Sequence, residues 1–233
     1  MREAHVTPTP EQVELVRWAA SLGAVSAPAL AYRLGVSVAS ARGRLIAAER
    51  RRWLTSARPL AGWPALYTAT PAGVRLTGLS RVAPARVRPG SAMHFLACAA
   101  VAAALEHCYP DHLVLGEREL REGEREVGGV RASADLASWV RGEPPRHRCD
   151  LVLAPAGLEG GLPVAVEVEL TIKAPARLTS ICLAWARSRH LAGALYIAPA
   201  DAARAVRRAV QRANAQRRIA VVELDALPWP DTR

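Results

Sequence analysis

An extended stretch in the second half of the chain, Pro163–Lys173, alternates strictly between apolar and polar residues. Its polar face carries the carboxylates of Glu167 and Glu169 and the ammonium of Lys173 in a row, while the other face is suited to a core. A second apolar strand begins directly after Asp150. Because carboxylate oxygens are the ligands that magnesium and manganese prefer, Asp150, Glu167 and Glu169 are predicted to bind one divalent cation.

Lys173 is the only lysine in a chain whose other basic residues are all arginine. A lysine offers a compact point charge that can orient or activate a water, or neutralise the charge that builds on a phosphorus atom. Together with the acids it predicts metal-assisted cleavage of a phosphodiester. The alternatives are a solvated edge strand that happens to carry charges and a lysine retained by chance.

Two further residues are candidates for the same site. Glu117 ends a strand predicted over residues 113–117 and either faces Asp150 or belongs to a solvated, charged turn. His94 lies on the first turn of a predicted apolar helix, where a histidine has either a structural or a catalytic role.

The positive charge of the chain is concentrated in its first ninety residues. The net charge is +10, and residues 1–90 contain 13 Arg and 4 Glu, which leaves the remainder of the chain close to neutral. Concentrated positive charge attracts a polyanion, and double-stranded DNA is the expected partner.

The first eighty residues are predicted to form a winged helix-turn-helix domain, and the alternative is a small helical bundle with an arginine-rich surface. Helices are expected over 10–22, 27–34 and 38–52, with a glycine turn at 34–37 between the second and the third, followed by strands over 53–56 and 65–69. Small residues and arginines on the third helix and after it suit a DNA groove and its phosphates. The predicted DNA-binding residues are Ala39, Ser40, Arg42, Gly43, Arg44, Arg51 and Arg58.

The predicted fold class is α/β, or α+β overall, with the winged helix followed by a restriction-endonuclease-like mixed-sheet domain. The domains are residues 1–80 and 91–233, joined by a Pro- and Arg-rich linker at 81–90. In the second domain helices are expected over 92–107, 132–140, 178–191 and 199–214, and strands over 113–117, 151–153, 163–173, 194–197 and 219–223.

No segment is predicted to span a membrane, and the four cysteines lack the paired spacing of a zinc ribbon. Buried, reduced thiols and a cytoplasmic location are therefore expected. A homodimer is a further expectation about the assembly.

The order of Asp150, a hairpin, Glu167-Val168-Glu169 and a helix resembles the PD-(D/E)XK restriction-endonuclease core. More narrowly, the chain is similar to the replication-relaxation family of actinobacterial mobile elements, which is related to nuclease-fold mobilisation relaxases. The matching motifs are His94, GERELR at 116–121, HRCD at 147–150 and EVELTIK at 167–173. The resemblance implies a plasmid or integrative-element protein that acts with replication or transfer proteins.

This sequence departs from the superfamily pattern at the position two after the acid, where Glu169 replaces the usual lysine. In a straight strand Lys173 would lie roughly 20 Å from Glu167. Either the chain bends, or Lys173 binds a phosphate further along, or cleavage activity has been lost. Two functions follow: a metal-dependent DNA nickase or endonuclease, and a winged-helix transcription or replication regulator whose nuclease-like domain is not catalytic.

Overall fold

Three helices and a small antiparallel sheet make up the first third of the chain in the computed structural model, which describes residues 7–79, 81–124, 132–136, 146–156 and 161–226. The sheet has the strand order β1-β3-β2, and a short fourth helix follows it. The elements are α1 (Pro10–Leu22), β1 (Val25–Ser26), α2 (Ala27–Leu34), α3 (Val38–Arg50), β2 (Leu54–Ala57), β3 (Leu66–Ala69) and α4 (Pro71–Leu76).

The turn between α2 and α3 lies where the sequence predicts it. Gly35 adopts the left-handed conformation, with φ of 62°, and its N–H bonds to carbonyls at the end of α2. Ser37 then caps α3, because its hydroxyl accepts a hydrogen bond from the Ser40 N–H at 3.2 Å. On α3 Ala41, Leu45 and Ala48 are buried, so this helix packs by its apolar stripe and leaves its opposite face in solvent.

The second part of the chain is built on a five-stranded mixed sheet of order β10-β9-β8-β7-β4. The strands β8, β9 and β10 run parallel, while β7 is antiparallel to both of its neighbours. A separate two-stranded ribbon pairs β5 with β6. The elements are α5 (Pro89–Cys108), β4 (His112–Gly116), α6 (Glu117–Gly123), β5 (Ser133–Asp135), β6 (Arg146–Arg148), β7 (Leu151–Pro155), β8 (Val164–Val168), α7 (Pro175–Arg187), β9 (Gly193–Ala198), α8 (Ala200–Arg212), β10 (Ile219–Glu223) and a 3-10 turn (Leu224–Ala226).

Three of the sequence predictions for this part need correction. The strand expected over 163–173 ends at Val168, and the chain then turns away from the sheet. The helix expected over 132–140 is instead the short strand β5 in its described part, and residues 137–140 lie outside the described residues. The helix α5 begins at Pro89 and thus takes in the end of the expected linker, because proline is well suited to the first helical position.

Helix α5 is the central element of the core. One hydrophobic cluster joins it to residues of the first part, such as Trp18 and Leu30, and to sheet residues such as Leu151 and Val166. By length and composition α5 is also apolar enough to cross a membrane, but 61% of its most apolar window is buried inside the protein. Burial of this extent is typical of the core helix of a folded domain.

Polar contacts also connect the two parts of the chain. The N–H of Gly116 donates to the Ser21 hydroxyl at 2.9 Å, and a Cβ at Gly116 would come within 2.2 Å of the Ser21 carbonyl oxygen. Glu106 on α5 forms an ion pair with Arg33 and accepts a hydrogen bond from the Trp18 indole at 3.1 Å. The segment 81–88 therefore joins two bodies that pack directly on each other.

Replacing Glu106 by alanine should destabilise the protein by about 2 kcal/mol, because it leaves the part-buried Nε of Arg33 and the Trp18 indole N–H without their acceptor. Glu14→Ala is the matched control, since Glu14 pairs with the same Arg33 but its side chain is 56% exposed, against 20% for Glu106. The control should cost under about 1 kcal/mol. Urea unfolding followed by tryptophan fluorescence measures both, and equal small losses would contradict a buried polar contact between the two parts.

Candidate functional site

The hairpin of β7 and β8 fixes Asp150 beside the two glutamates. The Asp150 N–H donates to the Val166 carbonyl at 3.1 Å, and the Asp150 Oδ2 accepts from the Val168 N–H at 2.8 Å. Val168 lies between Glu167 and Glu169 in the sequence. At the end of the hairpin the Asp150 carboxylate thus accepts a backbone hydrogen bond that a strand carbonyl would otherwise accept. This bond holds it against the backbone between the two glutamates.

On one face of the sheet, Asp150 is bonded to a histidine of α5. Its Oδ1 lies 3.1 Å from the His94 Nε2, and the Cys98 Sγ lies 3.4 Å from the same nitrogen. The hydrogen bond with Asp150 raises the pKa of His94, and burial raises the pKa of the Cys98 thiol well above its ordinary value. Ligand atoms of these three residues all lie within 4.8 Å of one another.

On the opposite face, Glu167 is enclosed by α7 and β6. Its Oε1 accepts a hydrogen bond from the Trp185 indole at 3.1 Å and is bonded to the His147 Nε2 at 2.6 Å. Only 4% of the Glu167 side chain is exposed. Burial raises the pKa of this carboxyl, and the bond with His147 opposes the shift. Both of these bonds end on Oε1, so among the described residues Oε2 accepts none.

The bend after β8 returns Lys173 to the site. Glu169 keeps the sheet pairing of its N–H, which donates to the Ile197 carbonyl at 3.0 Å, and its buried carboxylate forms an ion pair with Lys173. The hydrogen bond with Asp150 raises the pKa of His94 and burial raises the pKa of Glu167, and the positive charge of Lys173 partly opposes both upward shifts. The chain therefore bends between Val168 and Lys173, which was one of the three alternatives. The separation of roughly 20 Å between Glu167 and Lys173 expected for a straight strand does not apply.

Glu117 lies at the same end of the sheet but in another element than expected. It is the first residue of α6, directly after β4, and its N–H donates to the Asp150 carbonyl at 2.9 Å. Its carboxylate pairs with Arg121 at 2.6 Å, and its charge raises the pKa of His94 and of Cys98. Glu117 is therefore a neighbour of the site whose side chain is bound to an arginine.

The structure brings all five expected catalytic residues to one end of the sheet, but it gives the three expected metal ligands different partners. Asp150 contacts α5, Glu167 contacts α7, and Glu169 contacts Lys173. Among the described residues, the tight group of possible ligand atoms includes one acid together with a histidine and a cysteine. Whether a cation binds the three carboxylates stays a prediction.

Three participants were not predicted as site residues: Cys98, His147 and Trp185. Cys98 follows His94 by four residues, which is the spacing of one helix face and was a detectable signal. His147 stands three residues before Asp150 in the HRCD motif and was detectable in the same way. Nothing in the sequence distinguished Trp185 from an ordinary core residue of an amphipathic helix.

The seven residues predicted to contact DNA are all exposed in the first part of the chain. Arg42 and Arg44 flank Gly43 on the solvent side of α3, opposite the buried stripe. The guanidinium of Arg51 stacks over the Trp53 ring at 5.1 Å from its centroid. The solvent-facing side of α3 thus combines small side chains with positive charge, which suits the binding of a polyanion.

Tyr196 lies close to the acids but is not placed as a nucleophile. Tyr196 lies opposite Glu167 in the β8–β9 pairing, but only 1% of it is exposed. Burial raises its pKa well above the ordinary value, and the charge of Glu167 adds to the shift. Its hydroxyl is therefore neither accessible nor easily ionised.

Comparison of the chain with protein-family models, with curated proteins and with solved structures gives no significant match.

Proposed function

We propose that the protein is a DNA-binding, metal-dependent nickase or endonuclease of the replication-relaxation type, made of a winged helix and a PD-(D/E)XK-like domain. One observation carries the proposal: the Asp150 carboxylate is bonded to the Val168 N–H between Glu167 and Glu169, and Lys173 is folded back onto the same end of the hairpin. Three acids and one ammonium in this arrangement suit phosphodiester hydrolysis.

The chemistry of the donors fits a divalent cation. Asp150, Glu167 and Glu169 would hold magnesium or manganese, which supplies a more acidic bound water and neutralises charge at phosphorus. Support comes from Glu167, whose buried carboxylate has a histidine and an indole as hydrogen-bond partners. A buried carboxylate is costly without a full cationic partner, and a cation at this place would provide one.

The protein's own residues have separate tasks in this proposal. Trp185 and His147 fix the orientation of the Glu167 carboxylate, and His94 and the Val168 N–H fix that of Asp150. Lys173, whose side chain is 37% exposed, is placed to meet a phosphate oxygen and to stabilise its growing negative charge. Because Tyr196 is buried, attack by water is favoured over a tyrosyl intermediate.

The exposed basic face of the first part provides the DNA affinity. Double-stranded DNA is the proposed partner, with a homodimer and replication or transfer proteins of the same element as further partners, and the proposed location is the cytoplasm. The direct packing of the two parts on α5 would hold the bound duplex in a fixed relation to the site.

Replacing Arg42 and Arg44 together by alanine should weaken DNA binding and flatten its salt dependence. Each lost phosphate contact reduces the slope of log affinity against log salt by about 0.9. The control is Arg208→Ala with Arg212→Ala, since both arginines are exposed on α8. Fluorescence anisotropy at several salt concentrations measures the slopes, and an unchanged slope in the first double variant would remove α3 from the interface.

A second candidate function is a winged-helix transcription or replication regulator whose nuclease-like domain does not cleave. The observation in its favour is the ion pair of Glu169 with Lys173, because an ammonium bonded to a buried carboxylate is less available to a phosphate. In this reading the acids stabilise the domain or bind a protein partner.

Incubating the protein with supercoiled plasmid and manganese separates the two functions. The nuclease proposal expects nicked circles with the wild-type protein and none with Asp150→Ala or Glu167→Ala. DNA binding at full strength without nicking, across magnesium, manganese and several plasmids, would contradict it and support the regulator.

A further inference from the structure

We propose that His94, Cys98 and Asp150 form a second metal site, specific for a thiophilic transition-metal ion such as zinc. Two of its ligands come from α5, whereas the Glu167 carboxylate is bonded to Trp185 of α7. It shares Asp150 with the proposed nuclease site but does not depend on DNA cleavage. Thiolate and imidazole ligands select zinc or cobalt over magnesium, so this site differs in kind from three carboxylates.

The hydrogen-bonding chemistry of the group is the first argument. Both the Asp150 Oδ1 and the Cys98 Sγ converge on one atom, the His94 Nε2, at 3.1 and 3.4 Å. If the His94 Nε2 carries a proton, that proton can point to the Asp150 oxygen or to the Cys98 sulfur but not to both. If the nitrogen carries no proton, its lone pair faces the lone pairs of the carboxylate with no hydrogen between them. A cation among the three atoms would bind a lone pair from each and remove the conflict.

The distances fit such an ion. Metal–ligand lengths for zinc give tetrahedral edges of about 3.4 Å from nitrogen to oxygen and about 3.6 Å from nitrogen to sulfur. The observed separations of 3.1 and 3.4 Å are slightly shorter than these edges. The two side chains of α5 stand one turn apart on one helix face, and all three ligand atoms lie within 4.8 Å of one another.

The surroundings support the ligands and leave a position open. The second Asp150 oxygen accepts the Val168 N–H, which is the outer hydrogen bond that orients a ligating carboxylate. Three protein ligands leave a fourth position, and 41% of the His94 side chain is exposed, so water can reach it. On binding, the Cys98 S–H gives its proton to solvent as the sulfur–metal bond forms.

Cobalt is the probe, because cobalt bound to a thiolate absorbs in the near ultraviolet through charge transfer from sulfur. The full-length protein is treated with EDTA, dialysed and titrated with cobalt, and a band that saturates at one equivalent and is displaced by zinc is expected. Cys98→Ser should abolish the band, and His94→Ala should weaken binding by about 10- to 100-fold or more.

Matched controls lie on the same helix. Cys108 is exposed and the ring of His107 packs at a tilt against Tyr32 near the end of α5, so Cys108→Ser and His107→Ala should keep the band. Circular dichroism and thermal unfolding of each variant show whether it is folded. A Cys98→Ser variant that does not fold leaves His94→Ala to decide the matter. The proposal is overturned if no band forms, if it persists in both site variants, or if only Cys108→Ser removes it.

The outcome is independent of nuclease activity. The cobalt band reports the bond from the Cys98 sulfur to the metal, whereas plasmid nicking reports the reaction at the carboxylates, so each result is obtained without the other. A band without any plasmid nicking would leave the zinc-type site standing and refute the nuclease. Nicking with manganese but no cobalt band would do the reverse.

Discussion

Replacing Asp150 by asparagine should lower plasmid nicking at least about 100-fold. Losing a residue that only supports a metal ligand costs about 10- to 100-fold, and Asp150 is itself a proposed ligand, so its loss should cost at least as much. The effect should not come from misfolding. Asparagine keeps a side-chain oxygen to accept the Val168 N–H, the contact that positions residue 150 at the end of the hairpin. What it removes is the negative charge that attracts a cation. We expect the free energy of unfolding to change by less than about 1.5 kcal/mol, the usual limit for one hydrogen bond.

Asp111→Asn is the control for this experiment. Asp111 is exposed just before β4, and the antiparallel pairing of His112 with Pro155 places it at the other end of the sheet. Nicked circles are quantified over time at saturating DNA, with manganese and with magnesium. If Asp150→Asn nicks at the wild-type rate while remaining folded, Asp150 has no part in the chemistry.

Replacing Glu167 by glutamine should abolish nicking while leaving the protein as stable as before, or more stable. Glutamine has the same shape and still presents an oxygen to the Trp185 indole and to His147. It removes a buried negative charge, whose desolvation costs free energy in the metal-free protein. A residue that lowers stability but is needed for activity is what a functional site typically contains.

The opposite result is expected for Glu106, a second acid with little exposure to solvent. Glu106→Gln breaks an ion pair with Arg33 far along α5 from the site, so it should lose stability and keep nicking. Thermal unfolding in EDTA and nicking in manganese are measured for both variants. Glu167→Gln would contradict the account if it were strongly destabilised without metal, since Glu167 would then be a structural residue, or if it still nicked DNA.

The sequence predicted the hairpin and its acids because their signals are local. The alternation over 164–168 indicates a strand with an apolar face and a second face that carries an acid. Asp150 stands directly before an apolar strand. The caps at Ser37 and the glycine at 35 likewise gave the bounds of α2 and α3 to within two residues, since capping depends on neighbours in sequence.

The bend after Val168 could not be read in the same way. The alternation continues through Leu170 and Ile172, but Ile172 is exposed and so its place in the pattern is accidental. The strand ends there because the partner β9 ends at Ala198, one residue beyond the carbonyl that receives the Glu169 N–H. That limit is set by tertiary structure and not by the residues of the stretch itself.

The partners of the acids were also hidden for a physical reason. His94 and Trp185 come from helices on opposite faces of the sheet, more than fifteen residues from the acids they touch. Alternation and helix periodicity report which face is buried, not which side chain of a distant helix meets it. The all-apolar pattern of α5 predicted a buried helix correctly, but not that it would be shared by both parts of the chain.

The central claim is that this end of the sheet cleaves DNA with a metal-activated water. The most direct measurement is cleavage of a short duplex in water enriched in oxygen-18, after EDTA treatment and addition of manganese, with mass spectrometry of the new ends. The account predicts one heavy oxygen on the terminal phosphate formed at each break, none on the hydroxyl end, and no DNA covalently bound to protein. An intact duplex under conditions in which the protein is fully bound to it, with every divalent metal tried, would contradict it.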